Sequence, residues 1–389
     1  MRIARRMQEI APFRVMQILA QARALETAGR DIVHMEIGEP DFESPRPVIE
    51  AAMRALRDGQ TRYTPAAGLP ALREAIADYY ARRFAVSIDP ARVLITPGAS
   101  GALQLVLGAL VDPGDRVVVT DPGYPCNRHM ISQLGGVPVA LPVSVDDGYA
   151  VRPDALQPLI GEGLRALMLA SPANPTGNLI GNAEIAALAA QLRTQPDTLL
   201  VCDEIYQGLQ YDAPPQTALA LGDDNIVVIN SFSKFFGMTG WRVGWLVAPE
   251  GLVEPLERLA QNLFIAAPTP SQFAALAAFK ASTMAILEER REAFRHRRDF
   301  LYDALTELGF GIGARPAGAF YLYADIRPFA DDGETLCRRL LEGAGVAITP
   351  GVDFGAHLAG RHVRFAYTTD LDRLAIGVER IAAWLRTET

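Results

Sequence analysis

Between residues 48 and 280 short apolar runs alternate with stretches of helical period, and each run stops in a polar loop. The runs at 93–96, 116–120, 166–170, 198–202 and 225–230 show no period-two alternation of polar and apolar residues. They read as strands buried on both faces of a mostly parallel sheet that helices cover on either side. Ligands of such sheets gather outside the carboxyl ends of the strands. The loops leaving these runs are therefore where function is expected.

The loop over 230–245 reads Asn-Ser-Phe-Ser-Lys-Phe-Phe-Gly-Met-Thr-Gly-Trp-Arg-Val-Gly-Trp. It sets Lys234 beside the hydroxyls of Ser231 and Ser233, with Arg242 further on, a reactive amine next to anion-binding groups. A Gly-rich turn with a solvated lysine and arginine is the other reading the segment allows by itself. In a second loop, Pro97-Gly-Ala-Ser-Gly101, a tight turn ahead of a helix over 102–110 aims the N–H groups of Ala99, Ser100 and Gly101 at an anion. This is neither a GxGxxG nor a P-loop spacing, and it fits one cofactor phosphate better than a dinucleotide.

The remaining loops add different chemistry. Tyr124 follows the run at 116–120, where its face can stack on a planar ligand. Cys126, close by, reads as a small buried residue. Asn174 lies in Ser171-Pro-Ala-Asn-Pro-Thr-Gly177. Asp203, directly after an apolar run, reads either as a helix N-cap or as a buried acceptor opposite a ring nitrogen.

Ahead of the sheet, a helix over 13–28 precedes a short strand and Gly38, where backbone can approach a ligand closely. A helix follows over 70–84, and Tyr63 before it is either a surface tyrosine or a polar tip in a site. Beyond 282 come a long charged helix over 282–308, strands at 319–325, 346–348 and 362–367, and a helix over 334–343, an α+β unit. The expected organisation is an N-terminal segment over 1–45 packing with a small domain, a large domain over 46–281, and the small domain over 282–389.

Composition narrows the class. With 37 Lys and Arg against 45 Asp and Glu, the net charge of -8 argues against nucleic acid as a partner. Arg5, Arg6, Arg295, Arg297 and Arg298 read as solvated helix faces. Three scattered cysteines fit a reducing compartment, and no spacing suits a metal. No stretch approaches the ~20 apolar residues of a membrane span, and none suits a signal peptide, so a soluble cytoplasmic protein is expected.

Five motifs occur in one order along the chain: Ile-Gly-Glu-Pro-Asp-Phe, Tyr-Thr-Pro-Ala-Ala-Gly, Asn-Pro-Thr-Gly, Asp-Glu-Ile-Tyr and Ser-Phe-Ser-Lys. In these the chain resembles the class I pyridoxal-phosphate aminotransferases, of the aspartate aminotransferase fold type I, over essentially its whole length. The resemblance implies pyridoxal 5'-phosphate as cofactor, held as an internal aldimine on Lys234, which then carries protons. It implies that Asp203 keeps the pyridine nitrogen protonated, that Tyr206 and Asn174 donate to the phenolic oxygen, and that Tyr124 stacks on the ring. Ser231, Arg242, Ser100 and the backbone at Ala99 would hold the phosphate, with Ser233 assisting and Tyr63 reaching the phosphate of a neighbouring subunit in a homodimer. Arg364, with Asn174 and Gly38, would bind the substrate α-carboxylate.

The implied reaction is ping-pong transfer of an amino group between an amino acid and a 2-oxo acid, 2-oxoglutarate or pyruvate. Tyr124 stands where aspartate-specific members often have tryptophan, and only Arg14 offers itself for a side-chain carboxylate, so alanine, aromatic and other neutral amino acids stay open. A β-eliminating C–S lyase or related synthase would share the cofactor machinery. The aminotransferase-like sensor half of a transcription regulator is disfavoured by the acidic charge and by a lead of only about 30 residues before the first strand.

Overall fold

The computed structural model describes residues 1–195 and 197–388. Its strands are, in chain order, β1 (Val33–His34), β2 (Val93–Thr96), β3 (Arg116–Asp121), β4 (Val137–Pro142), β5 (Leu164–Ala170), β6 (Leu199–Asp203), β7 (Ile226–Ser231), β8 (Gly244–Val247), β9 (Tyr321–Asp325), β10 (Val346–Ala347), β11 (Thr349–Pro350) and β12 (His362–Ala366). The main sheet has seven strands in the order β2-β8-β7-β6-β5-β3-β4. All its pairings are parallel except the two that β8 makes.

Both faces of this sheet are covered, which is why its strands lack polar alternation. Val227 and Ile229 of β7 pack in one cluster with residues of the helices Gly98–Leu110 and Glu250–Leu263, while Ile226 and Val228 pack in another with the helix Asn182–Leu192. Because successive side chains alternate across a strand, both sets must be apolar.

β8 runs against its neighbours, so its first residue, Gly244, lies beside Thr96 and Ser231, the last residues of β2 and β7. The carboxyl ends of the parallel strands and the chain entering β8 therefore share one edge. The segments over 137–142 and 244–247 form strands that the sequence reading did not include. The helix expected from 102 begins at Gly98, so Ala99, Ser100 and Gly101 form its first turn, where backbone N–H groups lack helical partners.

The C-terminal part carries a three-stranded antiparallel sheet, β11-β12-β9, with the helix Ala281–Glu307 against β9 and the helix Leu371–Glu388 packed on that helix. The expected helix over 334–343 is Gly333–Arg339 followed by a π-helical turn, Leu340–Ala344. β1 pairs in parallel with β10, which ties the N-terminal segment to this part.

Arg297 and Arg298 are not on a solvated face. Arg297 forks onto Asp41 at 2.8 and 3.0 Å and donates to the Thr368 carbonyl at 2.9 Å. Arg298 is 2% exposed, bonded to Asp212, Asp299 and the Pro316 carbonyl, with Tyr211 beneath it. Their charges have dedicated acids, which is how arginine is tolerated in an interior. Among the described residues no helix is long and apolar enough to cross a membrane, and no group of three His, Cys, Asp or Glu is placed to hold a metal ion.

Candidate active site

A cavity of about 170 Å³ opens at the shared sheet edge. Ala170 and Asp203 reach it as the last residues of β5 and β6, Tyr206 and Asn174 from the loops that follow, and Lys234 from the loop after β7. Ala99 and Ser100 reach it from the first helical turn after β2, and Tyr124 from the turn after β3. Gly38, Tyr321 and Arg364 close it from the N-terminal segment and the small sheet. Of the residues singled out in the sequence, Gly38, Ala99, Ser100, Tyr124, Asn174, Asp203, Tyr206, Lys234 and Arg364 thus share one wall.

Lys234 Nζ donates to the Gly38 carbonyl at 2.6 Å and lies 5.9 Å from the Tyr206 ring centre and 5.7 Å from that of Phe320. Loss of water brings its pKa down to about 8, against the pull of Glu39 and with the help of Arg364 and Arg242. Asp203 is buried, accepts a hydrogen bond from the Ile205 N–H at 3.0 Å, and is pushed up to about 6 by burial. The two groups have moved toward each other's range, a condition for proton transfer near neutrality.

Arg364 is 3% exposed. One Nη donates to Asn174 Oδ1 at 3.0 Å, the other to the Glu36 carbonyl and, at 3.5 Å, to the Thr349 hydroxyl, whereas Nε has no partner. Its guanidinium lies 4.2 Å from the Tyr321 ring centre and 4.7 Å from that of Phe354. Among the described residues no carboxylate pairs with it. A buried cation facing a cavity without its own anion is built to receive one.

A second anion shelf lies where β2 and β8 meet. Gly98 has φ of +70°, a conformation that costs most side chains strain, and a Cβ there would stand 2.7 Å from Arg242 Nη2. The bare backbone lets the guanidinium come against the helix start carrying Ala99 and Ser100. Ser231 and Ser233 lie outside the cavity wall, buried, with their hydroxyls 2.9 Å apart and Ser231 also donating to the Val243 carbonyl at 3.2 Å. Tyr63 is not in the wall; it is 79% exposed. Arg14 is also elsewhere, with its side chain on Glu334 at a neighbouring cleft.

Tyr321 was not legible in the sequence. Its hydroxyl lies 2.8 Å from that of Tyr206, and a Cβ on Gly38 would fall 1.8 Å from it. The only signal was an aromatic pair, Phe320 and Tyr321, in an apolar run. Phe13, Val15, Met16, Ile37 and Leu103 also line the cavity without having been singled out for it.

A family model described as "Aminotransferase class I and II" matches residues 30–381. The chain belongs to this family. It is 39% identical to the "Valine--pyruvate aminotransferase" of Mycobacterium tuberculosis, over 97% of each chain, and 37% identical to the "Aspartate/prephenate aminotransferase" of Thermus thermophilus, over 98% of each. Among solved structures, an aminotransferase from Mycobacterium tuberculosis superposes with a TM-score of 0.94 at 38% identity, covering 100% of both chains. The aspartate aminotransferase from Thermus thermophilus with maleate superposes at 0.93 and 36% identity, covering 99% of this chain and 100% of that one. This aminotransferase therefore has the aspartate aminotransferase fold and is an enzyme that handles amino acids and 2-oxo acids.

Proposed function

We propose that the cavity binds pyridoxal 5'-phosphate and transfers an amino group between an amino acid and a 2-oxo acid by a ping-pong reaction in which Lys234 is the attachment point and proton carrier. The observation that carries this reading is one wall holding a lysine of pKa about 8, a buried aspartate and a buried arginine without a carboxylate partner. Bound there, the cofactor supplies an aldehyde to take the amino group and a ring to accept electrons from the substrate's α-carbon.

The donor set fits such a group. Ala99 and Ser100 offer N–H groups at a helix start and Arg242 a charge beside them, enough for a phosphate. Ser231 would add its hydroxyl to that phosphate, with Ser233 assisting. Asp203 suits a protonated ring nitrogen, and Tyr206 and Asn174 are placed to donate to a ring oxygen, with Tyr124 against the ring face. Lys234, brought down near neutrality, can bond to an aldehyde and later move a proton at the substrate's α-carbon. Arg364 then orients the α-carboxylate, with Asn174 and Gly38 beside it.

In this reading 46–281 is the cofactor-binding domain, and 282–389 with 1–45 is the part that holds the carboxylate. Tyr63, exposed in the single chain, serves the phosphate of a second copy in a homodimer working in the cytoplasm. The relatives' printed names divide between valine with pyruvate and aspartate with prephenate; the acceptor in this reading is pyruvate or 2-oxoglutarate.

The test is direct. Purified protein given pyridoxal phosphate is expected to show the visible absorbance of a lysine-bound cofactor, and borohydride is expected to fix the label through denaturation in the wild type and not in Lys234→Ala. A label retained by Lys234→Ala rejects Lys234 as the attachment point. Pyruvate and ammonia released from cystathionine without any 2-oxo acid would instead make the enzyme a C–S lyase.

A further inference from the structure

We infer that the substrate's side chain is apolar: the enzyme takes neutral, hydrophobic amino acids and their 2-oxo acids, and Phe13, Val15, Met16, Ile37 and Leu103 set that choice. The inference rests on the proposed aminotransferase site. The polar side chains of the cavity wall already have tasks there, and the Tyr321 hydroxyl is taken up by Tyr206. Asp203, Tyr206, Asn174, Tyr124 and Ser100 face the cofactor, Arg364 the α-carboxylate, and Lys234 the reacting carbon.

What remains of the wall is hydrocarbon. Phe13, Val15 and Met16 come from the start of the helix Arg14–Thr27 and the residue before it, Ile37 from the segment that presents Gly38, and Leu103 from one turn beyond Ser100. Phe13 sets its ring edge-on to Tyr124 at 6.5 Å. Val15 and Leu103 are buried, and the wall opens to solvent at Met16, which is 53% exposed.

Among the described residues of the single chain, Lys234 and Arg364 are the cations that line the cavity, and both already have a task. Arg14 is the nearest in sequence, but its guanidinium is on Glu334 in the neighbouring cleft. The nearby Arg128 donates to the Asp353 carbonyl at 2.6 Å. A carboxylate side chain would lose its water against this wall with nothing to replace it. A hydrophobic side chain gains from the same burial, and each added or missing methylene is worth roughly 10- to 200-fold in discrimination.

The test uses the cofactor-loaded wild type and Met16→Lys, a change at the open rim that leaves the packed wall intact. Each form is mixed separately with valine, leucine, methionine, aspartate and glutamate, and loss of the lysine-bound cofactor absorbance is followed. The wild type is expected to favour the apolar three over the two acids by about 100-fold or more in rate constant over half-saturation. Met16→Lys is expected to narrow that ratio at least about tenfold by giving the second carboxylate a partner. Aspartate or glutamate converting as fast as leucine in the wild type overturns the inference, as does a ratio unchanged in Met16→Lys. Failure of the underlying reading looks different: no amino acid would alter the absorbance.

Discussion

The Tyr321 hydroxyl lies 2.8 Å from the Tyr206 hydroxyl, and the Tyr321 ring carries the Arg364 guanidinium 4.2 Å above its centre. One residue of the small sheet thus touches both the group assigned to the cofactor's phenolic oxygen and the group assigned to the substrate's carboxylate. Tyr321→Phe keeps the ring under Arg364 and removes only the bond to Tyr206. Half-saturation for the amino acid is expected to stay within about twofold, while the transfer rate falls about tenfold, as for one lost hydrogen bond. Stopped-flow half-reactions separate the two, and a change confined to half-saturation would contradict this role.

Gly38 makes that contact possible, because a Cβ there would stand 1.8 Å from the Tyr321 hydroxyl. Gly38→Ala must displace the tyrosine or the segment whose carbonyl accepts the hydrogen bond from Lys234 Nζ. It is expected to destabilise the fold by about 2 kcal/mol or more, and Tyr321→Phe in the same chain is expected to return part of this. Urea unfolding of the two single variants and the double variant measures the coupling; strict additivity would show that the two residues do not compete for the space.

Asp203 gives a pH dependence of definite sign. Its folded pKa of about 6 lies above the unfolded value near 3.8, so the folded state holds the proton longer. Its contribution to stability is therefore highest at low pH and is lost as pH rises from about 4 to 6, leaving the cofactor-free protein strained at neutrality. Asp203→Asn keeps an oxygen for the Ile205 N–H and removes the charge. It is expected to gain on the order of 1–3 kcal/mol at pH 7 and little at pH 4, while losing transfer activity by more than about 100-fold. Thermal unfolding at both pH values, with a rate assay, checks it.

Lys234 has the opposite sign. Its folded pKa of about 8 is below 10.5, so the cost of burying its charge is full below pH 8 and is relieved as pH rises toward 10.5. Lys234→Met in the cofactor-free protein is expected to flatten this part of the stability profile. A profile between pH 8 and 10 identical to wild type would mean that another group carries the dependence.

Arg364 tests the carboxylate assignment. Arg364→Lys keeps a positive charge but loses the planar fork. Half-saturation for the best amino acid is expected to rise by about 100-fold, with cofactor absorbance retained. Unchanged half-saturation would move the carboxylate elsewhere.

Asp41 tests a structural charge pair. Arg297 is buried and its other acceptor is a carbonyl, so Asp41→Ala leaves a buried charge without its acid. Since Asp41 is itself partly exposed, a loss of about 2–3 kcal/mol is expected, smaller in Asp41→Asn. Urea midpoints compare the two.

The amino-acid sequence by itself determined the buried sheet, the loops at its carboxyl edge, and the chemical tools in those loops: Lys234, Asp203, Tyr206 and the anion-binding turn at Ala99 and Ser100. These follow from short-range properties, since strand burial shows as an unbroken apolar run and a loop's chemistry is its composition. The tertiary structure alone decided which charges stay uncompensated and what surrounds them. Arg297 and Arg298 belong to a charged helix, yet Asp41, Asp212 and the carbonyls of Thr368 and Pro316 that hold them lie in other segments. Arg364 looks like a strand arginine until Asn174, 190 residues away, and the Glu36 carbonyl are brought to it without an acid. Tyr321 meets Tyr206 across 115 residues. Whether a buried ion is neutralised, and which aromatic ring faces a cavity, depends on contacts between distant segments, and no local period of the chain records them.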